Sequence, residues 1–207
     1  MTLNEPIEKR PRGRPPRFSS RRAELLEVAA RIFCERGYQN ATLEDIAEAM
    51  KITRPALYHY GMGKEAILAA CILIANTQLL AAIDIANREK TGLAEVVSYF
   101  RQYIELSHGY MVACFILTDR RYMGAVVGER DRQNQRELGR AVQSMVERGV
   151  ADGSIRSCAP AEVSRTLYAA FNGTLFVFRP DAEVDLATVA DSILDIVIEG
   201  LRPRRGE

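Results

Sequence analysis

Three short helical patterns separated by abrupt breaks fill the first third of the chain, and they constrain the fold more than any other feature. Gly37 ends the first pattern, because glycine takes the left-handed conformation that terminates helices at little cost. Thr42 and Thr53 are typical N-cap residues for the second and third, and Pro55 falls in the first turn of the third, a position that tolerates proline. The three-residue gap between the last two patterns predicts a helix-turn-helix. The apolar residues expected to face the common core are Leu25, Val28, Ala29, Ile32, Phe33, Leu43, Ile46, Ala47 and Met50.

The N-terminal segment is strongly basic. Residues 1–22 contain seven Lys or Arg and two Glu, which gives a net charge of +5. Because the net charge of the whole chain is +1, the remaining residues carry a net charge of −4. The run Pro-Arg-Gly-Arg-Pro at 11–15 resembles the core of an AT-hook, in which Arg12 and Arg14 would enter the narrow minor groove of A·T-rich DNA. The alternative is a solvated basic tail. In both cases the arm is expected to be disordered without DNA.

The overall composition is that of a soluble globular protein. The chain of 207 residues is 47% apolar and 27% charged, and its length allows one large domain or a small head on a larger body. Its four cysteines form no CxxC pair, and His59 and His108 lie far from any such pair, so no metal site and no cofactor are expected. No secretory signal is recognised at the N-terminus, which favours a reducing cytoplasm.

The segment from 21 to 67 resembles the DNA-binding head of the TetR family, the tetracycline-repressor-like bacterial regulators. The close match covers about the first third of the chain. It implies an all-α fold, with a three-helix helix-turn-helix head followed by a larger helical ligand-binding and dimerisation domain. We therefore assign residues 1–19 to a disordered basic DNA-binding arm, 20–67 to the head and 68–207 to the effector-binding and dimerisation domain. The matching positions are Phe33, Gly37-Tyr38, Ala41-Thr42-Leu43, Ile46-Ala47, Ile52-Thr53, Leu57-Tyr58 and Lys64-Glu65.

The resemblance implies that the helix over 53–60 enters the major groove and that the helix over 42–50 braces it. Arg54 is expected to read bases, since a guanidinium can contact O6 and N7 of guanine together. Tyr58 and Lys64 occupy positions at which the family commonly grips phosphates. The alternatives are that Tyr58 only packs and that the threonines only cap their helices. The expected DNA-binding residues are Arg12, Arg14, Thr42, Thr53, Arg54, Pro55, Ala56, Tyr58, Tyr60 and Lys64.

Two positions depart from the family pattern. Lys51 stands in the turn where the family usually has glycine, so a non-glycine residue is expected at a positive φ, at a cost of about 1 kcal/mol. Gly61 stands where the family usually has a phenylalanine that anchors the turn into the fourth helix. Tyr60 or Met62 is expected to fill that space instead.

The rest of the chain keeps a helical periodicity, without a strand pattern or an internal repeat. An apolar run at 66–83 is one feature that a membrane-spanning helix would have, but Asn76, Thr77 and Gln78 interrupt it. A buried core helix is therefore expected, with no membrane partner. The helices predicted after the head span residues 64–87, 93–107, 110–117, 128–151, 161–178 and 185–201.

The last two predicted helices carry apolar stripes that suit association. In the TetR family, two such helices pair with their copies in a two-fold four-helix bundle. A dimer would place two heads about 34–36 Å apart, on successive major grooves of a palindrome. The alternative is that both stripes cover the chain's own core. The expected interface residues are Val163, Leu167, Phe171, Leu175, Leu186, Val189, Ile193 and Ile196.

The middle helices would enclose a small-molecule pocket in this family. They carry large apolar side chains with a few polar tips, a mixture that suits a mostly apolar effector. The alternative is that these side chains belong to the core. The expected pocket residues are Phe100, Tyr103, Tyr110, Met111, Phe115, Tyr168, Phe171 and Asn172.

Three functions compete on these grounds. The first is a ligand-responsive repressor that binds a palindromic operator as a homodimer and is released by a small molecule. The second is an architectural DNA-binding protein in which the basic arm dominates and sequence is barely read. An enzyme is disfavoured, because no Ser/His/Asp set, carboxylate pair, phosphate loop or metal cluster stands out.

Overall fold

The computed structural model describes residues 17–119, 121–122, 128–177 and 186–202, and every regular element in these ranges is a helix. The predicted all-α fold class is confirmed. Helices α1–α3 form the head, and α4 connects it to the body, which contains α5–α9. Arg12 and Arg14 lie outside the described residues. The helices are α1 (Arg17–Arg36), α2 (Leu43–Ala49), α3 (Arg54–Tyr58), α4 (Lys64–Ala86), α5 (Gly92–Ser107), α6 (Tyr110–Leu117), α7 (Glu129–Asp152), α8 (Pro160–Val177) and α9 (Leu186–Leu201).

A single apolar core joins the three helices of the head. On α1, Leu25 and Ala29 are fully buried and Phe33 is nearly so, as its helical spacing predicted. Ile46 of α2 and Leu57 of α3 are fully buried against them. Burying a side chain of the size of leucine contributes roughly 1.5–3 kcal/mol. Packing therefore stabilises α2 and α3, which are too short to be stable as isolated helices.

Local hydrogen bonds fix the end of α1 and the start of α2. Gly37 ends α1 with a φ of +77°. Thr42 Oγ1 accepts from Asp45 N at 3.1 Å, and Asp45 Oδ2 accepts from Thr42 N at 2.8 Å. The hydroxyl and N–H of Thr42, helped by Arg36, hold the pKa of the Asp45 carboxyl below its ordinary value. This reciprocal capping box sets where α2 begins.

The turn between α2 and α3 contains the predicted strained residue. Lys51 has a φ of +56°, in the left-handed region that favours glycine. Its N–H donates to Glu48 O at 2.9 Å, and the N–H of Ile52 donates to Ala47 O at 3.0 Å. These bonds satisfy carbonyls at the end of α2, and they require the left-handed residue.

Replacing Lys51 by glycine is expected to raise the free energy of unfolding by about 1 kcal/mol, because glycine adopts this φ without a Cβ clash. Urea denaturation followed by circular dichroism measures the change. Gly61→Ala is the matched control: Gly61 has a φ of +65° and open space around an added Cβ, so alanine there adds backbone strain alone. That variant should lose a similar amount of stability. A Lys51→Gly protein less stable than the wild type would contradict the strain at this turn.

Helix α4 runs through the centre of the fold. By length and composition it could cross a membrane, but half of its most apolar window is buried inside the structure. It packs against α1, α5, α6 and α7. Cys71 is fully buried there, and burial raises the pKa of its thiol, so it serves as a small apolar side chain. The helix is thus the core of the bundle, as the interrupted run at 66–83 predicted.

The first turn of α5 lies directly against α7. A Cβ added at Gly92 would lie 2.1 Å from Gly149 N, so only glycine fits at this point. Asp152 Oδ2 accepts from Gly92 N at 2.8 Å, and Ser154 Oγ accepts from Leu93 N at 3.1 Å. These contacts satisfy the first N–H groups of α5 and fix its position on α7.

The helices α4–α9 begin and end within about one residue of the sequence prediction. Helix α6 matches at both ends. Helix α9 packs against α5 and α8, and α8 packs against α5, α6 and α7. The body is therefore a bundle in which α4 to α8 surround a common interior.

Candidate functional site

The outward side of α3 is open to solvent. Leu57 is fully buried and anchors the helix to the head. Arg54 and Pro55 are exposed, Ala56 is partly exposed, and the exposed fraction of Tyr58 is 52%. No segment within the described part of the body covers this side. A short helix with an arginine in its first turn is therefore available to a partner.

Helix α3 is shorter than predicted, and the prediction that it extends over 53–60 is wrong at its C-terminal end. It ends at Tyr58, because the next backbone N–H groups donate to carbonyls three residues back and Gly61, with a φ of +65°, turns the chain. Tyr60 is consequently half-buried against the head core. Met62 is 8% exposed and fills the space in which the family usually has an aromatic ring.

Arg54 is oriented by polar neighbours but remains accessible. Its guanidinium pairs with Glu44 of α2 at 2.5 Å and donates to Tyr58 Oη at 3.1 Å. The side chains of Arg54 and Glu44 are each more than half exposed. An exposed pair of this kind contributes little to stability, so the guanidinium can exchange Glu44 for another partner.

The two threonines expected at the interface both cap helices. Thr53 Oγ1 accepts from Ala56 N at 3.4 Å, and Thr42 Oγ1 accepts from Asp45 N. Both side chains are exposed. Both interpretations of these threonines, as DNA contacts or as caps alone, require the caps that the structure shows.

Lys64 makes its contacts inside the protein, in a group of side chains that we call the head–body cluster (Tyr38, Gln39, Lys64 and Tyr122). Lys64 Nζ donates to Gln39 O at 3.1 Å and lies 4.5 Å from the centre of the Tyr38 ring. Partial burial lowers the pKa of Lys64. Tyr122, which follows α6, hydrogen-bonds to the Gln39 side chain, and its ring centre lies 5.7 Å from that of Tyr38. Sequence reasoning missed Gln39 and Tyr122, since only the Gly-Tyr pair at 37–38 pointed to this loop.

A cavity of about 520 Å³ lies among α4, α5, α6, α7 and α8. This volume is typical of small-molecule sites. Leu79, Leu138 and Ala169 form part of its apolar lining. Arg165 is the one charged side chain among the described lining residues, and it is paired with Glu162. Four of the predicted pocket residues line this cavity: Tyr103, Phe115, Tyr168 and Asn172.

The other predicted pocket residues lie elsewhere. Phe100 and Phe171 are fully buried and stack on each other, with ring centres 4.5 Å apart, as part of the core. Tyr110 and Met111 line a separate groove of about 550 Å³ bordered by α1, α4, α5 and α6. That groove also contains two glutamate side chains.

Tyrosine hydroxyls form a neutral polar network beside the cavity. Tyr103 Oη donates to Asn172 Oδ1 at 2.5 Å, and Tyr168 Oη donates to Leu138 O at 3.1 Å. Tyr99 Oη lies 3.0 Å from Tyr168 Oη. Burial raises the pKa of all three tyrosines, so their hydroxyls stay protonated at physiological pH. These hydroxyls thus offer polar contacts without charge beside the cavity.

Only part of the predicted association surface is open to a partner. Leu167 and Phe171 of α8 are buried in the chain's own core, because α8 faces α5, α6 and α7. Ile196 of α9 is 75% exposed, the highest fraction among the large exposed apolar residues described. The side chain of Leu186 lies outside the described part. The remaining predicted interface residues are partly buried: Val163, Leu175, Val189 and Ile193.

Two family models match the sequence of this helix-turn-helix head and helical body. Residues 25–71 match the model described as bacterial regulatory proteins, tetR family, and residues 90–201 match the tetracyclin repressor-like C-terminal domain. The chain belongs to the TetR family of bacterial regulatory proteins.

Two repressors resemble this chain along most of their length. The chain is 31% identical over 196 residues to the HTH-type transcriptional repressor KstR2 of Rhodococcus jostii (strain RHA1), covering 88% of this chain and 92% of the relative. It is 28% identical over 190 residues to the repressor AcnR of Corynebacterium diphtheriae, covering 89% and 93%.

Solved structures share the same fold. The ketosteroid transcriptional regulator KstR2 of Mycobacterium tuberculosis superposes with a TM-score of 0.81 at 22% identity, covering 89% of this chain and 96% of that one. AibR in complex with isovaleryl coenzyme A and operator DNA superposes with a TM-score of 0.74 at 20% identity, covering 85% and 97%. At these identities the likeness concerns the fold.

Proposed function

We propose that this protein is a ligand-responsive transcriptional repressor that binds a palindromic operator as a homodimer and releases it when a small molecule binds the body. The observation that carries the proposal is the exposed outward side of α3 on a firmly packed head. The repressors KstR2 and AcnR, similar over most of the chain, support the same reading. We place its action in the cytoplasm, where bacterial DNA is found.

The first turn of α3 is proposed to enter the major groove. Arg54 reads a base there, while Pro55 and Ala56 supply apolar contact. Tyr58 supports the Arg54 guanidinium and reaches a phosphate with its hydroxyl, which already accepts from that guanidinium. The remaining proposed contacts to the sugar-phosphate backbone come from Thr42, Thr53 and Lys64, and those to the minor groove from Arg12 and Arg14. Tyr60 is proposed to add apolar contact beside Pro55 and Ala56.

Replacing Arg54 by alanine is expected to weaken operator binding by roughly 10–100-fold and to reduce discrimination against unrelated DNA, because a bidentate base contact is lost. Fluorescence anisotropy with operator and scrambled duplexes measures both effects. Arg31→Ala is the matched control, because Arg31 is also exposed and ion-paired in the head but lies on α1. If the substitution weakens binding to operator and scrambled DNA equally, Arg54 contacts phosphates and does not read a base.

The effector is proposed to bind in the cavity among α4–α8 and to be a mostly apolar small molecule. The apolar lining and the neutral tyrosine network support this class. Among solved structures with the same fold, AibR holds isovaleryl coenzyme A together with operator DNA, which supports a small-molecule effector in a protein of this shape. Effector binding would change the separation of the two heads, and by linkage DNA must weaken effector binding equally.

Selection of bound sequences from a random DNA pool tests the proposal most directly. The expected result is enrichment of an inverted repeat whose half-sites lie one helical turn apart, about 34–36 Å. Gel-shift experiments at physiological salt then compare the selected duplex with unrelated duplexes of equal length. Uniform weak binding to every duplex would defeat the proposed function.

A further inference from the structure

The side-chain amide of Asn76 lacks a hydrogen-bond partner among the residues that the structure describes. Asn76 lies near the middle of α4, and its exposure is 0%. Both its oxygen and its nitrogen are unpaired, so the side chain does not bond back to the preceding turn of the helix. Buried polar atoms in proteins are nearly always paired with a protein group, a water or a ligand. This amide therefore requires a partner beyond the described residues, such as a water or a ligand.

The helix offers no packing reason for an asparagine at this position. The buried neighbours on α4 are apolar: Ile72, Ala75, Leu79 and Ile83. Leucine has nearly the same shape as asparagine and would remove an amide whose burial without partners opposes folding. A residue that lowers stability in a core position is typical of a functional site.

The position of Asn76 on α4 points to the cavity. Asn76 precedes Leu79 by three residues, a spacing that places two side chains on the same side of a helix. Leu79 lines the cavity, together with Tyr103 of α5 and Phe115 of α6. Helix α4 packs directly against α5 and α6. The unpaired amide thus lies one helical turn beyond the cavity wall, toward the head end of α4.

We propose that Asn76 recognises the effector, and that the effector carries a neutral oxygen, in a carbonyl or a hydroxyl group, at the end that reaches α4. This inference rests on the proposed function, in which the cavity is the effector site. A carbonyl accepts from the Asn76 amide nitrogen, and a hydroxyl can also donate to its oxygen. Leu79 lines the cavity three residues after Asn76, so we infer that the effector displaces this side chain to make the bond.

The described lining of the cavity offers no counter-ion for an ionised group at that end. Arg165, the charged side chain of the described lining, is largely exposed and already paired with Glu162. A carboxylate or ammonium group beside Asn76 would be buried without a counter-ion, which costs far more than burying a neutral oxygen. The effector is therefore a mostly apolar molecule with an uncharged oxygen at its buried end.

The same bond would act on the helix that carries the head. Helix α4 begins at Lys64, which is bonded to Gln39 in the head–body cluster. Displacement of Leu79 and engagement of Asn76 both alter the middle of α4. Effector recognition and the position of the head thus involve one continuous helix.

The first test measures the protein without any added ligand. Asn76→Leu is expected to raise Tm by about 2–6 °C, because an unpaired buried amide is replaced by an apolar group of similar shape. Gln78→Met is the matched control, since it removes an exposed amide from the same helix and should leave Tm nearly unchanged. A fall in Tm for Asn76→Leu would show that the amide already has a structural partner and would overturn the proposal. Asn76→Ala replaces the leucine variant if the latter does not fold.

The second test uses matched probes: tetralin, 1-tetralone and 1-tetralincarboxylate, and a linear set of decane, 2-decanone and decanoate. In at least one set, the ketone is expected to raise Tm of the wild type more than the hydrocarbon and the carboxylate do. That preference should disappear in Asn76→Leu and persist in Gln78→Met. Equal shifts for ketone and hydrocarbon in both sets, a preference for the carboxylate, or a ketone preference that survives in Asn76→Leu would each overturn the proposal.

Operator binding by the wild type separates this inference from the function on which it rests. A wild type that binds its selected operator but shows no ketone preference refutes the role of Asn76 and leaves the repressor intact. A wild type with the ketone preference but without specific DNA binding refutes the repressor, while the recognition of a neutral oxygen by Asn76 stands.

Discussion

Replacing Gly92 by alanine is expected to lower the free energy of unfolding by about 3 kcal/mol or more. The new Cβ would lie 2.1 Å from Gly149 N and 2.4 Å from Met145 O. These are backbone atoms of α7, which cannot rotate aside as the end of a side chain can. Helix α5 would have to move away from α7, and this movement would also break the bond between Gly92 N and Asp152 Oδ2. Urea and thermal unfolding of the purified variant measure the loss.

The matched control for this substitution is Gly139→Ala, on the same helix as Gly149. Gly139 has no atom within 4 Å of an added Cβ, so alanine there should stabilise α7 by about 0.5–1 kcal/mol through helix propensity alone. If Gly92→Ala unfolds at the same denaturant concentration as the wild type, α5 and α7 do not approach each other as closely as described.

Replacing Ile196 by aspartate is expected to make the protein monomeric and to weaken operator binding by about 100-fold or more. A two-fold interface contains each residue twice, so one substitution places two like charges in the apolar contact. Ile196 is 75% exposed in the single chain, so the substitution should leave the fold of each subunit intact. Light scattering after gel filtration measures the mass, and anisotropy with the operator measures binding.

Ile85→Asp is the control for the dimer prediction. Ile85 is also an exposed isoleucine, at 48%, but it lies on α4 beside the separate groove and not on α9. This variant should remain dimeric and keep its operator affinity. Should Ile196→Asp stay dimeric while circular dichroism shows a folded protein, α9 would not be the association surface.

The sequence predicted local structure well where the cause is local. The end of α1 at Gly37 and the capping box at Thr42 follow from one or two residues each, and both are present. The positive φ of Lys51 followed from a family position that usually holds glycine. The end of α3 was predicted two residues too late. The helical pattern in the sequence continues to Tyr60, but the turn that leads into Gly61 ends the α-helix at Tyr58.

The arrangement of the site depended on contacts between distant segments, which a single sequence does not reveal. An apolar stripe predicts that one side of a helix is buried but not which surface buries it, so Leu167 and Phe171 were assigned to a partner although they lie in the chain's own core. In the same way, the large side chains of the middle helices divide among a cavity, a groove and the core. In the sequence, Asn76 is only one of the polar residues that interrupt an apolar run. Its proposed role in effector recognition follows from its burial without a hydrogen-bond partner among the described residues, which only the structure shows.

The head–body cluster has a mechanical consequence. Gln39 is bonded through its carbonyl to Lys64 at the start of α4 and through its side chain to Tyr122 beyond the end of α6. The loop before α2 is thereby tied to two separate points of the protein. If the head rotates relative to the segment after α6, the hydrogen bond from Gln39 to Lys64 or the one to Tyr122 must lengthen or break. Small displacements near Phe115, in the last turns of α6, therefore reach the head through the short stretch of chain after α6 and the hydrogen bond between Tyr122 and Gln39.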